Sequence, residues 1–333
     1  MPLIGFDEIV GQKHIIDIMR SSLRDARVSH AYIFDGPSGV GKRTAARAYA
    51  GALLCAEPRE NGPCGLCAVC VQLASNNCMD LYEVDIEERR IVIDQIRNLQ
   101  SDIIKRPLYS ERKVYIINNA ETMTGEAQNA LLKTLENPPG YVVLILVTSN
   151  YDALYPTIKS RTVRYSFRRN SRDEVKLILD KKLGPNFPHR DFLEAYADGA
   201  AGAALDMSMV EGLPEANEEI INVIFLLKKG GVSQIIKAYQ FFEKHKEVYP
   251  VISKMMRFAF RDLLNARIGG AEGELINNDK KDIILRNAPD FSTASLLNCI
   301  DAIDESERAL NSNTNFELMI KVMLLKMQEE MSQ

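Results

Sequence analysis

Positive charge is not in excess in this sequence: 41 lysines and arginines stand against 45 aspartates and glutamates, giving a formal charge of −4 and a pI near 5.8. That balance argues against a stand-alone DNA binder, although a basic face can sit on an acidic protein. Long hydrophobic runs are missing too. The longest near mid-chain, Tyr141 to Val147, is far too short to span a bilayer and fits a buried strand. The N-terminal MPLIGFDEIV lacks the basic stretch and apolar core of a secretory signal, so a cytoplasmic chain without membrane contact is expected. Of six cysteines four are clustered, which in a cytosolic chain points to a metal before disulfides. What remains, 46% hydrophobic and 26% charged residues over 333 positions, suffices for sizeable cores in two or three domains.

One stretch organises the chain: AYIFDGPSGVGKRT, Ala31 to Thr44. An apolar strand runs into a glycine-rich turn, then into a lysine heading the alanine-rich helix former TAARAYAGALLC, Thr44 to Cys55. Gly36, Gly39, Gly41 and Lys42 fit the G-x-x-x-x-G-K frame, in which backbone N–H groups cradle phosphate oxygens and the lysine neutralises them. The helix that follows adds its N-terminal dipole. With Thr44, these residues are the candidate contacts for the phosphates of ATP or ADP. A hydroxyl for magnesium should follow the lysine, but Arg43 stands there and Thr44 comes one place late.

The second half of such a site is missing its acids. The segment KVYIIN, Lys113 to Asn118, reads as a core strand that should end in Asp-Glu, one to support magnesium and one to activate water. Asn118 and Asn119 occupy those positions, and an amide neither holds Mg²⁺ by charge nor accepts a proton from water. Glu121 lies two residues beyond the expected glutamate and needs a distorted backbone to substitute. A strand over Val142–Thr148 leads to Thr148, Ser149 and Asn150, where a polar side chain can sense a γ-phosphate or simply end the strand in a turn. Arg161, between Ser160 and Thr162 before the strand Val163–Phe167, is expected on the surface, its guanidinium free to reach outward.

Cys55, Cys64, Cys67 and Cys70 form a C-x8-C-x2-C-x2-C array with Gly62, Pro63 and Gly65 among them. Four thiolates at this spacing can close a tetrahedral structural zinc site and fold an insert that has little core of its own. Free structural cysteines and an iron–sulfur cluster are the other readings, and no second tetrad supports electron transfer. Cys78 and Cys299 are isolated. Beyond the last strand, RRNSRDE suits a domain boundary, where Arg168, Arg169 and Arg172, with Arg164 in the strand before them, either touch DNA phosphate or are solvated. Helical patterns then alternate with breaks at Gly230-Gly231, Pro250, Gly269-Gly270 and Pro289. Leu318, Val322 and Leu325, beside Met319 and Met323, give the last helix a broad apolar face suited to a bundle or to partner helices.

These residues resemble a family, the bacterial clamp-loader subunits of the AAA+ class. The resemblance runs through FDEIVGQ (Phe6–Gln12), HAYIFDGPSGVGK (His30–Lys42), the four-cysteine insert, DLYEVD (Asp80–Asp85), NALLKTLENPP (Asn129–Pro139), SRT (Ser160–Thr162) and NTNFELMIKVMLLKM (Asn313–Met327). It implies an α/β P-loop (AAA+) domain with a parallel sheet over residues 1–167, carrying a zinc module at about 55–78. A small helical lid domain over 168–212 and an all-α collar over 213–333 complete the implied architecture. In motor subunits of this family the magnesium carboxylates, the loop hydroxyl and a lid arginine complete the ATP site; the matching positions here hold Asn118, Asn119, Arg43 and Gly202. The resemblance therefore implies a non-catalytic, stator-like subunit within the DNA polymerase III holoenzyme. An ATP-hydrolysing gamma/tau-like motor subunit with an atypical metal site is the alternative, and a zinc-dependent nucleic-acid binding module a third reading. Ser160 and Arg161 match the family's SR motif, which implies an arginine finger acting in trans on a neighbour's ATP. Implied partners are gamma/tau motor subunits and a delta subunit in a hetero-pentameric ring, with the sliding clamp and primed DNA met through the assembly.

Overall fold

The structure, a computed structural model, describes every residue except 1–2, 88, 188–189, 211, 270–274, 278–279, 311–313 and 333. Gly270 and Asn313, named above, lie outside the described residues. The N-terminal half reads, after a 3₁₀ turn at Phe6–Glu8, α1 (Lys13–Arg24), β1 (Ala31–Asp35), α2 (Lys42–Leu54), α3 (Ala68–Ala74), β2 (Leu81–Val84), α4 (Ile93–Ile103), β3 (Lys113–Ile117), α5 (Gly125–Glu136), β4 (Val142–Thr148), α6 (Pro156–Lys159) and β5 (Val163–Ser166). Helices follow: α7 (Arg172–Leu183), α8 (Arg190–Ala197), α9 (Ala201–Ser208), α10 (Leu213–Lys228), α11 (Val232–Lys244), α12 (Tyr249–Gly269), α13 (Lys281–Asn287), α14 (Thr293–Leu310) and α15 (Phe316–Met331). Chain contacts divide the protein into two compact units, Met1–Pro185 with Ala197–Ala204, and Asn186–Tyr196 with Leu205–Gln333.

In the first unit five strands form one parallel sheet in the order β2-β3-β4-β1-β5. The three central strands, AYIFD, KVYII and VVLILVT, are buried at every position, as parallel strands covered on both faces must be. Alternation along β1 separates two cores. Tyr32 and Phe34 face a layer with Phe6, Met19 and Tyr49, while Ala31 and Ile33 face Ile96, Leu99, Leu131 and Leu135. The small residues of α2, Ala45, Ala46, Ala48, Ala50 and Ala52, are buried and let that helix lie close beneath the sheet. Register sets Asp35 beside Thr148 and Ser166, so the glycine loop emerges between two neighbouring strand ends, the usual place for a ligand in an open α/β sheet.

Two carboxylates fix the far edge. Buried Asp80 accepts hydrogen bonds from the backbone N–H groups of Leu108 (2.8 Å), Tyr109 (2.8 Å) and Ser110 (3.0 Å) and from the Ser110 hydroxyl (3.1 Å), shaping the loop ahead of β3. Asp102, near the end of α4, takes the buried Lys113 ammonium at 2.7 Å and the Tyr115 hydroxyl at 3.0 Å. Ile91 bridges to Met123, and α4 begins two residues later at Ile93.

The second unit is helical. Its core includes Ile224, Leu227, Phe242, Ile252, Met256, Phe260, Leu296, Ile303, Ile320 and Leu324. Buried Asp262 on α12 accepts from the Ile276 and Asn277 backbone (2.8 and 2.7 Å) and from Asn277 Nδ2 (2.8 Å), holding the chain that leaves the helix. The single broad face expected of α15 divides in two. Met319, Ile320, Met323, Leu324 and Met327 are buried, whereas Leu318, Val322 and Leu325 are 60%, 42% and 53% exposed. The latter three follow the helical repeat but lie nearly half a turn round from the buried row.

Burial opposes ionisation of Asp102, but the Lys113 and Tyr115 hydrogen bonds outweigh it and hold its carboxyl below the ordinary value. A folded-state value below the unfolded one stabilises the fold above about pH 3.9 and ceases to do so as the pH falls through the folded value. Replacing Asp102 by Asn leaves Lys113 without its counter-charge and is expected to lower stability at pH 7 by about 1–3 kcal/mol. Urea unfolding at pH 7 and at pH 3 checks this, since the gap between parent and variant should narrow in acid.

Candidate functional site

The loop between β1 and α2 has the phosphate-cradle backbone, with Gly36, Gly39 and Gly41 all at positive φ. Its lysine is turned inward. Lys42 is 7% exposed and its Nζ donates to the Gly36 and Pro37 carbonyls, each at 2.6 Å. Burial lowers its pKa, while the charges of Glu121 and Asp35 act in the opposite sense. Thr44 is exposed on the first turn of α2. At the crown of the loop the Gly202 N–H at the start of α9 donates to the Gly39 carbonyl at 2.8 Å. A Cβ on Gly202 would lie 2.8 Å from the Gly39 Cα, so an arginine cannot replace it without moving the loop or the helix.

Arg43 and the two asparagines belong to one network. Arg43 Nη1 and Nη2 meet Asp85 Oδ2 at 3.0 Å and Glu83 Oε2 at 3.2 Å, and Arg47 Nε meets Glu83 Oε1 at 2.6 Å. Asn119 Nδ2 donates to Asp85 Oδ1 at 2.8 Å, and Asn118 Nδ2 lies 3.4 Å from Glu83 Oε2. The acids missing from the end of β3 thus stand at the end of β2, neutralised by arginines and met by amide donors. Sequence reasoning passed over Glu83, Asp85 and Arg47; the DLYEVD segment contains both acids, but only strand pairing brings them beside Asn118 and Asn119.

Glu121 has the backbone distortion it needs. Asn119 is left-handed (φ 50°, ψ 43°) and a 3₁₀ turn over Ala120–Thr122 follows. Glu121 Oε1 thereby accepts from the Ser149 N–H at 3.2 Å and from the Ser149 hydroxyl, at the end of β4. Thr148 Oγ1 accepts from the Asn150 N–H at 3.1 Å, so the strand end is also a side-chain-closed turn.

Arg161 lies on the surface just after α6, yet its guanidinium does not reach freely outward. Nη2 pairs with Glu136 Oε1 at 3.1 Å, and Nη1 donates to the Thr157 carbonyl (3.0 Å) and Ser160 Oγ (3.3 Å). Glu136 closes α5, the NALLKTLE helix, and so acts as a parking carboxylate for the arginine. Among the boundary arginines, Arg164 pairs with Asp35 and stacks 3.7 Å from the Tyr151 ring centroid, and Arg169 pairs with Asp198 at 2.9 Å. Arg168 and Arg172 are exposed.

The cysteines converge as their spacing requires. All four sulfurs lie within 4.8 Å of one another, with Cys55–Cys67, Cys64–Cys70 and Cys55–Cys70 separations of 3.9, 3.8 and 3.7 Å. A tetrahedral thiolate site with bonds of about 2.3 Å needs edges of about 3.8 Å, so the cluster can hold a metal ion. Backbone N–H groups support the charged form: Leu66 and Cys67 both donate to Cys64 Sγ, pushing that thiol down to about 6. Burial pushes the Cys55 and Cys70 thiols up, and a cation bound among the four sulfurs would act in the opposite sense. Cys299 is buried on α14 and Cys78 partly buried, neither within the cluster.

A parallel sheet in which β1 runs into a glycine loop and then into a helix headed by a lysine defines a P-loop α/β module; helices make up the C-terminal part. The comparisons with known proteins narrow that class. A family model described as DNA polymerase III, delta subunit, matches residues 11–171, and one for the C-terminal part of that subunit matches 215–329. DNA polymerase III subunit delta' of Bacillus subtilis (strain 168) is 31% identical over 322 residues, covering 96% of either chain. The tau subunit of the same organism is 28% identical over 346 residues, which cover 96% of this chain and 61% of that subunit. A solved gamma-subunit-related protein from Thermotoga maritima is 20% identical, with a TM-score of 0.45 over 94% of this chain and 99% of its own. The chain belongs to the delta' family of DNA polymerase III clamp-loader subunits.

The β2–β3 network generates a test. Restoring the expected acids as Asn118→Asp with Asn119→Glu sets like charges against Glu83 and Asp85, and is expected to lower stability by about 1–4 kcal/mol. Added Mg²⁺ should recover part of the loss. A thermal unfolding midpoint unchanged in metal-free buffer contradicts the arrangement.

Proposed function

We propose that the chain is a non-catalytic, stator-like subunit of the clamp loader, supporting ATP-dependent loading of the sliding clamp onto primed DNA. The observation that carries this reading is the commitment of Lys42, Arg43, Asn118 and Asn119 to partners inside the chain. Lys42 is held by loop carbonyls, Arg43 by Glu83 and Asp85, and Asn118 and Asn119 face the same two acids. No carboxylate at the end of β3 remains to hold Mg²⁺, so ATP or ADP at Gly36, Gly39, Gly41, Lys42 and Thr44 would be bound without turnover.

Its neighbours in a hetero-pentameric ring would be gamma/tau motor subunits and a delta subunit, in the cytoplasm. Residues 1–167 would serve as the P-loop domain, 168–212 as the lid and 213–333 as the collar. Structural zinc on Cys55, Cys64, Cys67 and Cys70 fits the closed four-sulfur set, which leaves no open coordination position for chemistry.

Arg161 would act in trans, with Ser160 beside it. In the isolated chain Glu136 balances the guanidinium. In the ring the arginine would exchange that carboxylate for the transferring phosphoryl group of the neighbour, where such a residue contributes about 10³–10⁵ in rate. The Glu121–Ser149 contact beside the loop favours the other reading, an ATP-hydrolysing motor subunit with an atypical metal site.

Purified chain alone separates the two, because magnesium-dependent turnover abolished by Lys42→Ala supports the motor and rules out the stator. In a reconstituted ring Arg161→Ala should abolish most DNA-stimulated turnover at the adjacent site; a rate equal to the parent's rejects the finger. Elemental analysis of protein purified without chelator should find about one zinc per chain.

A further inference from the structure

The arm between the first two cysteine ligands does more than connect them. Residues 56–63 leave Cys55, reverse at a turn in which Arg59 and Gly62 exchange backbone hydrogen bonds (2.8 and 2.9 Å), and return to Cys64. At the tip of this turn the Asn61 carbonyl accepts the Phe6 N–H at 2.9 Å. A Cβ on Gly5 would stand 2.9 Å from that oxygen, so the approach requires glycine. Arg20 on α1 ties the two pieces together, with Nη2 2.9 Å from Asp7 Oδ1 and 3.4 Å from Asn61 Oδ1, and Nε 3.1 Å from the Glu60 carbonyl. Phe6, 1% exposed, inserts into the core under this contact.

The segment from Gly5 to Gln12 is anchored at its other end as well. Gln12, 4% exposed, uses its side-chain amide as a two-way link to the Arg168 backbone, donating at 2.6 Å and accepting at 3.1 Å, and the Val10 carbonyl accepts from Asn170 Nδ2 at 3.3 Å. Residues 5–12 are therefore a strap, fastened to the cysteine arm at one end and to the chain leaving β5 at the other.

We infer that the metal centre governs this strap. A metal on Cys55 and Cys64 closes the arm into a short loop and fixes Glu60 and Asn61 where Phe6, Asp7 and Arg20 meet them. Loss of the metal frees both ends of the arm, and with them the strap contact. The coupling is reciprocal, since whatever the strap gains from an ordered arm, the metal gains from a docked strap. The metal then does two jobs: it folds the insert, and it sets how firmly the N-terminal segment is held toward Arg168–Asn170.

Hydrogen exchange on the full chain tests this, comparing metal-loaded protein with protein stripped by chelator under reducing conditions. Amides of Phe6–Gln12 should exchange at least about fivefold faster when stripped, with β1, β3 and β4 unchanged. Should stripping loosen the whole unit, Arg20→Ala decides. With Co²⁺ as the probe ion, that variant should keep the thiolate-to-cobalt absorption, show the same faster strap exchange while loaded, and bind Co²⁺ about fivefold or more weakly than the parent. Unaltered strap exchange on stripping in an otherwise folded chain overturns the inference. So does an Arg20→Ala variant whose Co²⁺ affinity equals the parent's.

Discussion

Glu83 and Asp85 put two negative charges at the carboxyl end of β2, and the side chains around them follow from that constraint. Two carboxylates beside two more at the end of β3 would repel strongly unless a divalent cation lay between them. Here the cations are covalent parts of the chain. Arg43 and Arg47 on α2 supply positive charge, and Asn118 and Asn119 supply N–H donors where acids would add charge. The arrangement ties α2, β2 and β3 together without an ion.

A site built this way and an arginine presented at another face are complementary. An ATP engine needs its loop lysine, its hydroxyl and its acids free to meet phosphate and metal. In the stator proposed above those groups are neutralised internally, and the chemistry left to the module would be what it presents to a neighbour. Arg161 would fit that division, since Glu136 pairs with it and orients it at the surface. A carboxylate partner of this kind limits the entropy lost when the guanidinium is recruited elsewhere, since Thr157 and Ser160 already restrict its rotamers.

Local pattern made much of this visible from sequence. The central strands are continuous apolar runs, the glycine loop has fixed spacing, and four cysteines so close together have few alternatives to a metal. What stayed hidden depends on pairing between distant segments. Glu83 and Asp85 look like ordinary surface acids on an edge strand until β2 is laid beside β3. The inward turn of Lys42, the parking of Arg161 and the docking of Asn61 on Phe6 are contacts no periodicity encodes. For α15 the apolar count was visible, but the division into a buried row and an exposed row depends on which neighbours the helix meets.

The loop ahead of β3 has a different lesson in it. Its backbone is shaped by Asp80, which takes three N–H groups and a hydroxyl from Leu108, Tyr109 and Ser110, while Leu108 and Tyr109 point outward at 66% and 57% exposure. Form and surface are thus assigned to different residues: one buried acid specifies the contour, and the outward side chains take no part in specifying it. Substitution at Leu108 or Tyr109 can alter what the loop offers to its surroundings while the contour that Asp80 sets stays the same.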